Sequence, residues 1–214
     1  MKRLWQYTAL ILMLTTILAA GCTPRSTPTP APTPVPVEPT ATQLPPPEAG
    51  WWETAVFYEI FVRSFYDSNG DGVGDFNGIT EMLDYLNDGD PATTTDLGIT
   101  GIWLMPIFPS PSYHGYDVTD YLAVNPQYGT LDDFKRLLDE AHKRGIHIII
   151  DFVINHTSTY HPWFQSAVAD KASPYRDYYI WSETNPGYAG PWGQVVWIPS
   201  STGYYYAVFW DQMP

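Results

Sequence analysis

Three polar residues directly follow a strongly apolar stretch, and their types and spacing could carry chemistry. The run 146–150 is Ile-His-Ile-Ile-Ile, and Asp151, Asn155 and His156 come after it. A β-branched apolar run is typical of a strand buried on both faces in a parallel sheet. A carboxylate there is costly to bury without a partner, so we expect a site at the carboxyl edge of the sheet. The alternative is a polar turn after a core strand.

A second candidate loop follows another apolar run. Residues 101–104 are Gly-Ile-Trp-Leu, and the segment 105–121 contains three prolines together with His114, Tyr116 and Asp117. The prolines favour a shaped loop over a helix. On residue types alone, a binding loop and a Pro/Tyr-rich surface loop are equally well supported.

The segment 67–75 has the spacing of a cation-binding loop. It reads Asp-Ser-Asn-Gly-Asp-Gly-Val-Gly-Asp, with oxygen-bearing side chains at every second position, as in an EF-hand loop. Carboxylates this close repel one another unless a cation offsets them, so we expect Ca²⁺. The expected ligands are the side chains of Asp67, Asn69 and Asp71, the carbonyl of Val73, and Asp75 directly or through water. Gly78 stands where an EF-hand has its bidentate Glu, so the loop is partial, and a turn without an ion is the alternative.

The elements that must position these residues alternate between strand and helix. Apolar runs predict strands at 55–61, 101–104 and 146–150, and helical spacing predicts helices over 78–86 and 129–145. Thr130 or Asp132 suits the N-cap of the second helix, and Gly145 ends it. Its apolar stripe consists of Leu131, Phe134, Leu137, Leu138 and Ala141. Strand, helix and strand in this order indicate βα units and a parallel α/β sheet.

The segment Asp151-Phe-Val-Ile-Asn155-His156 resembles the first signature region of the α-amylase superfamily, glycoside hydrolase family 13. That pattern is Asp-x-x-x-Asn-His at the end of the third barrel strand, and the resemblance extends from about Trp52 to the last residue. It implies the first three βα units of a (β/α)8 TIM barrel over 50–156. Residues 157–214 would form a partial domain B, an excursion rich in aromatic residues.

The resemblance also implies roles for the two loops. His156 would contact the sugar in subsite −1, Tyr116 would stack on that sugar, and Asp117 would accept hydrogen bonds from its hydroxyls. His114 would sit beside them. Asp151 and Asn155 would support the loop geometry. Calcium loops similar to 67–75 follow the first strand in the oligo-1,6-glucosidase and α-amylase branches of the family.

The family's mechanism implies residues that this chain does not supply. Retaining members use a carboxylate nucleophile and an acid/base Glu, which arise after later barrel strands. No residue here matches those motifs, so we expect the amino-terminal part of a longer enzyme that is inactive alone.

The expected substrate is α-1,4-linked starch or maltooligosaccharide. An oligo-1,6-glucosidase or a transglycosylase of the same family is an alternative, as is a non-catalytic sugar-binding lipoprotein. A calcium-dependent structural module is a weaker alternative, because it does not explain the His114–Asp117 and Asn155–His156 motifs.

The first 49 residues predict export and membrane attachment. Lys2 and Arg3 precede an apolar run that ends in Leu-Ala-Ala-Gly before Cys22, the only cysteine. This arrangement is typical of a bacterial lipoprotein signal peptide over 1–21 and a lipid on Cys22. The Pro/Thr-rich segment 22–49 would be an extended tether. The protein would then be extracytoplasmic and anchored to the cell membrane. The alternatives are ordinary secretion and an uncleaved anchor.

The net charge of the chain argues against some classes of binding partner. The formal net charge is −13 at pH 7. An acidic protein is repelled by nucleic acid and by anionic lipid headgroups, so no nucleic-acid partner is expected.

Overall fold

The structure is a computed structural model that describes residues 50–214. The predicted signal peptide, the tether and Cys22 lie outside the described residues. Within 50–214, none of the helices combines the length and the hydropathy that a membrane span requires.

Three parallel strands form the sheet that positions the candidate loops. They are β1 (Phe57–Ile60), β2 (Gly101–Leu104) and β3 (His147–Ile150), in the order β1-β2-β3. Ile60 pairs with Leu104, and Leu104 with Ile150, so the three strands end at the same level. The predicted parallel α/β arrangement is confirmed. The first strand is shorter at both ends than the predicted 55–61.

The connection from β1 to β2 contains three short helices. They are α1 (Val62–Phe65), α2 (Phe76–Glu81) and α3 (Leu83–Leu86). The prediction of one helix over 78–86 was wrong on two points. Asp75 caps α2, which therefore begins two residues earlier, and Met82 leaves helical geometry with ψ at 4°, which separates α2 from α3.

Helix α4 (Leu131–Lys143) leads from β2 to β3 and agrees with the predicted helix. Thr130 is the N-cap and forms a capping box with Asp133, in which each side chain accepts a hydrogen bond from the other residue's amide. Leu137 and Ala141 are buried against the sheet, but Leu131 is exposed, so the predicted apolar stripe holds only in part.

The core lies between the sheet and these helices. Ile60, Ile102 and Leu104 point from the strands into it and are essentially inaccessible to solvent. Ile79, Leu83 and Leu137 meet them from the helices. The sheet therefore has one well-packed face, which fixes the positions of the strand ends.

Strand β3 departs from the prediction of burial on both faces. Ile149 is 40% exposed and Ile150 is 37% exposed. Among the strands in 50–214, β3 pairs only with β2, so its second edge has no strand beside it there. Trp103 on β2 is also exposed, because the described residues cover only one face of the sheet.

The residues after β3 form a small aromatic unit. Helix α5 (Pro162–Ala169) precedes an antiparallel sheet of β4 (Trp181–Ser182), β5 (Trp197–Ser200) and β6 (Gly203–Tyr206), in the order β4-β6-β5. Phe164 packs edge-to-face on Tyr205 and is stacked with Trp181. Single 3-10 turns occur at Trp51–Glu53 and Arg176–Tyr178.

Candidate functional site

The loops that follow β2 and β3 meet at the carboxyl edge of the parallel sheet. His156 Nε2 lies 3.1 Å from the carbonyl oxygen of Tyr116. The amide of Ser158 donates to the carbonyl of Val118 at 2.8 Å. The Tyr121 hydroxyl lies 2.9 Å from the His156 carbonyl oxygen. These contacts join residues 35 to 40 positions apart in the chain.

Asp117 is the most buried charged group of the site, with 2% of its surface exposed. Its Oδ1 accepts a hydrogen bond from the Ser110 hydroxyl at 2.5 Å and another from the Ser112 hydroxyl. His114 Nδ1 lies 4.0 Å from the same oxygen. The two serines stabilise the buried carboxylate and fix its orientation. Within 50–214, Oδ2 accepts no hydrogen bond, so this oxygen keeps its capacity to accept one.

Tyr116 is half-buried, and its hydroxyl interacts with the Asp151 carboxylate. Burial, followed by the hydrogen bond and charge of Asp151, raises the pKa of Tyr116 to about 12. The phenol therefore stays protonated at neutral pH, beside the Asp151 carboxylate. This contact gives the Asp151 carboxylate a polar neighbour. Such a neighbour is needed because Asp151 directly follows the apolar strand β3, where an unpartnered carboxylate is costly to bury.

His156 is held as a neutral imidazole. Nε2 faces the Tyr116 carbonyl, which only accepts, so Nε2 carries the proton. Nδ1 lies 3.2 Å from Asn155 Nδ2 and is the acceptor there. Burial lowers the pKa of His156, and the hydrogen bond to Tyr116 and the charge of Asp117 oppose that shift in part.

His114 connects the residues of the second-strand loop. Its Nδ1 accepts the Tyr116 amide at 3.1 Å and lies 3.1 Å from the Ser112 hydroxyl. The ring therefore helps to orient the Tyr116 backbone.

The structure thus brings together all six residues that the sequence predicted for this edge: His114, Tyr116, Asp117, Asp151, Asn155 and His156. Sequence reasoning missed Ser110, Ser112 and Tyr121, whose hydroxyls hold the two loops in place. The two serines flank Pro111 in the same loop, which was a signal that could have found them. Tyr121 carried no local signal, since its role depends on contacts with residues distant in sequence.

The segment 67–75 has the oxygen donors that a hard cation prefers, but its side chains also bind the loop's own backbone. Asp67 accepts the amides of Gly70 and Gly72, each at 2.7 Å, and the hydrogen bond from Gly72 is the main reason that the pKa of Asp67 is lowered. Asp71 accepts the Val73 amide at 2.8 Å.

Asp75 serves chiefly as a helix cap. It is buried and accepts hydrogen bonds from the Gly78 amide and the Ser68 hydroxyl. In the part of the chain that the structure describes, no three His, Cys, Asp or Glu residues are arranged to hold a metal ion. The donor chemistry of 67–75 fits Ca²⁺, and Asp75 is its least available ligand.

A mostly apolar cavity of about 520 Å³ lies beside the His156 loop. Its lining includes Phe152, Ile154, Trp163, Tyr178 and Met213, together with Asn155 and His156. Tyr116 and Asp117 do not line it, so the cavity shares only Asn155 and His156 with the polar site described above.

The fold and the site define the class of α/β proteins that carry their functional residues on loops at the carboxyl ends of parallel strands. Comparison with known proteins then gives the family. The chain belongs to the alpha-amylase family, because the model of the alpha amylase catalytic domain matches residues 59–214.

Three similar proteins illustrate the relationship. Alpha-amylase 3 of Dictyoglomus thermophilum is 54% identical over 164 residues, which cover 77% of this chain and 30% of that protein. Probable oligo-1,6-glucosidase 2 of Bacillus subtilis is 48% identical over 163 residues, which cover 73% of this chain and 28% of that protein. The crystal structure of the alpha-amylase from H. orenii aligns with a TM-score of 0.71 at 62% identity, covering 75% of this chain and 33% of that one. The chain thus spans about a third of the length of these relatives.

The lowered pKa of His156 predicts a pH dependence of stability. The folded state binds a proton on His156 less readily than the unfolded state does, because burial disfavours the imidazolium. This group therefore contributes stability above its unfolded pKa of 6.5, and the contribution is lost as pH falls below 6.5 towards the folded value. The NMR titration of His156 in the folded chain should give a pKa below that in urea.

A matched pair of variants distinguishes the contribution of His156 to this pH dependence from that of a second histidine, His161. Burial also lowers the pKa of His161. His156→Gln and His161→Gln should each flatten part of the fall in unfolding free energy between pH 7.5 and 5. A folded-state pKa of His156 at or above its value in urea would contradict this account.

Proposed function

We propose that this chain supplies part of the substrate site of a retaining α-glucan hydrolase of the α-amylase type, acting on α-1,4-linked starch or maltooligosaccharides. The observation that supports it most directly is the convergence of Tyr116, Asp117 and His156 at one edge of the sheet. Membership of the alpha-amylase family supports the same substrate class.

The three residues offer the contacts that a neutral sugar needs. The ring of Tyr116 provides a flat face, and its hydroxyl lies beside the Asp151 carboxylate. The Asp117 carboxylate has one oxygen held by serines and a second one available to accept a sugar hydroxyl. The neutral His156, fixed between Asn155 and the Tyr116 carbonyl, closes one side of the site.

Bond cleavage would require two further carboxylates about 5–5.5 Å apart, one as nucleophile and one as acid/base. We assign neither to any residue here. In this proposal the chain binds and orients the sugar, the whole protein performs the hydrolysis with residues beyond 214, and the chain is inactive alone.

A second candidate within the family is an oligo-1,6-glucosidase, which the 48% identity with the Bacillus subtilis protein favours. A transglycosylase and a non-catalytic sugar-binding lipoprotein are further alternatives. Assays of the whole protein on maltotriose and isomaltose separate these candidates. The α-amylase proposal requires cleavage of maltotriose with retention of configuration.

Substitutions at the site test the binding role. Tyr116→Ala and Asp117→Asn should each weaken maltotriose binding by the full chain at least about tenfold, because each removes a contact worth roughly 1.5–3 kcal/mol. Isothermal titration calorimetry measures the Kd. Tyr85→Ala is the control, since Tyr85 is an exposed aromatic residue on α3, away from the sheet edge. Equal affinity in all variants would remove the basis for this site.

We also propose that the segment 67–75 binds Ca²⁺ through Asp67, Asn69, Asp71, Val73 and Asp75. The alternating oxygen donors support this, and so does the repulsion among three carboxylates. A bound ion would draw these oxygens together and reduce that repulsion, and it would hold the loop that precedes α2.

Calcium should raise the melting temperature of the chain, because a ligand that binds only the folded state stabilises it by about 2.7 kcal/mol at one hundred times its Kd. Asp71→Asn should abolish most of this effect. Asp90→Asn is the matched control, because Asp90 accepts the Ala92 amide two residues ahead just as Asp71 accepts that of Val73. If EGTA left the melting temperature of the native sequence unchanged, the proposed site would be wrong.

Finally, we propose that the protein is an extracytoplasmic lipoprotein anchored to the bacterial membrane through Cys22. The basic start, the short apolar run and the small residues before the only cysteine support this. After expression in a bacterial host, mass spectrometry should find an amino-terminal Cys22 carrying a lipid. Cys22→Ser should move the protein from the detergent phase to the aqueous phase. An unmodified Cys22 in the exported protein would refute the anchor.

A further inference from the structure

The segment that carries Asn155 and His156 has no backbone pairing of its own. Within 50–214, the amides and carbonyls of residues 152–156 form no hydrogen bond with any other backbone group. The ladder of β3 ends with the amide of Asp151, which donates to a carbonyl of β2, and backbone pairing resumes only at Thr157. The segment is therefore placed by side-chain contacts and not by secondary structure.

One side chain supplies hydrogen bonds that this segment otherwise lacks. The Tyr121 hydroxyl lies 2.6 Å from the Val153 carbonyl oxygen and 2.9 Å from the His156 carbonyl oxygen. A single hydroxyl proton shared between two carbonyls draws both of them to one point. In the described part of the chain, no other side chain forms a hydrogen bond with the backbone of 152–156.

The Tyr121 ring is itself held from several directions. Its centroid lies 5.6 Å from that of Phe108, 5.7 Å from that of Phe152 and 6.0 Å from that of Trp163, on which it is stacked. These rings come from the β2 loop, the β3 loop and α5, so the hydroxyl has little freedom to move. Burial, followed by the charge of Tyr179, raises the pKa of Tyr121 to about 12, so the phenol remains a donor at neutral pH.

His156 is thereby attached to the loop that follows β2 at two points. Its Nε2 donates to the Tyr116 carbonyl at 3.1 Å, and its own carbonyl accepts a hydrogen bond from Tyr121. Two attachment points fix the orientation of a residue as well as its location, whereas one would leave it free to turn. Asp117 directly follows Tyr116, so the placement of the imidazole relative to that carboxylate depends on both contacts.

We propose that Tyr121 is a positioning residue of the substrate site and acts through His156. Its hydroxyl holds the carbonyls of Val153 and His156 and so sets the imidazole against Tyr116 and Asp117. This inference rests on the proposed function and deepens it. The role of Tyr121 is indirect, because its hydroxyl is occupied by carbonyls of the protein and leaves no donor for a sugar.

Tyr121→Phe isolates the hydroxyl, because it keeps the ring and its aromatic neighbours. We expect two changes in the full chain. The folded-state pKa of His156, measured by NMR titration, should rise from its native value towards 6.5, because a loosened imidazole is less buried. The affinity for maltotriose in isothermal titration calorimetry should fall about fivefold. A role confined to stability would lower the urea midpoint and change neither quantity.

The matched control is Tyr205→Phe. The Tyr205 hydroxyl also donates to a backbone carbonyl, that of Asp211, at 2.7 Å, and burial also raises its pKa. This variant should lower the urea midpoint to a similar extent, but it should leave the His156 pKa and the maltotriose Kd unchanged. If it changes both as Tyr121→Phe does, the effect is a general loss of packing and the inference is wrong.

Failure of this inference is distinguishable from failure of the proposed function. If the native sequence binds maltotriose and Tyr121→Phe keeps the native Kd, the positioning role is wrong and the proposed function stands, whether or not the His156 pKa moves. A lower affinity with an unchanged His156 pKa also overturns the inference, since Tyr121 would then not act through His156. If the native sequence does not bind maltotriose, the proposed function fails, and this inference fails with it.

Discussion

The parallel pairing of three strands in register is the constraint on which the rest of the structure depends. The amide of Met105 donates to the Ile60 carbonyl at 3.0 Å, and the amide of Asp151 donates to the Leu104 carbonyl at 2.8 Å. These bonds continue the ladder one residue beyond β2 and β3. Both loops therefore leave the sheet at the same edge, and their polar residues are neighbours without any further adjustment of the chain.

The loops that follow β2 and β3 contact each other mainly through hydrogen bonds to backbone carbonyls, and less through ion pairs. Tyr121 reaches the carbonyls of Val153 and His156, and His156 reaches the carbonyl of Tyr116. Such bonds fix distances and orientations at little electrostatic cost, whereas a buried ion pair must first overcome the desolvation of two charges. Asp117, the most deeply buried charge of the site, is stabilised by two serine hydroxyls of its own loop. The site is thus preorganised before a ligand arrives.

Local sequence patterns correctly predicted those helices and strands whose structure depends mainly on nearby residues. The apolar run at 101–104 predicted β2 correctly, and the N-cap candidates, the apolar spacing and the terminal glycine predicted α4. Asp151, Asn155 and His156 were predicted because a strand end and a polar motif coincide in sequence, whereas His114, Tyr116 and Asp117 were predicted from the family resemblance. The break at Met82 has no such signal, because it depends on how α2 and α3 fit the sheet. The exposure of Ile149 and Ile150 depends on which elements cover β3, and hydropathy alone cannot show that.

The charge of the edge residues affects neutral and phosphorylated sugars differently. Within 50–214, the hydrogen bonds of the six edge residues involve no lysine or arginine, and Asp117 and Asp151 make the edge negative. A phosphorylated sugar needs cationic or amide donors for its phosphate, and here it would meet carboxylates instead. The neutral glucan proposed as substrate carries no charge that these carboxylates would repel. Its hydroxyl groups need only hydrogen-bond acceptors and donors, so the negative edge is consistent with the neutral substrate that we propose.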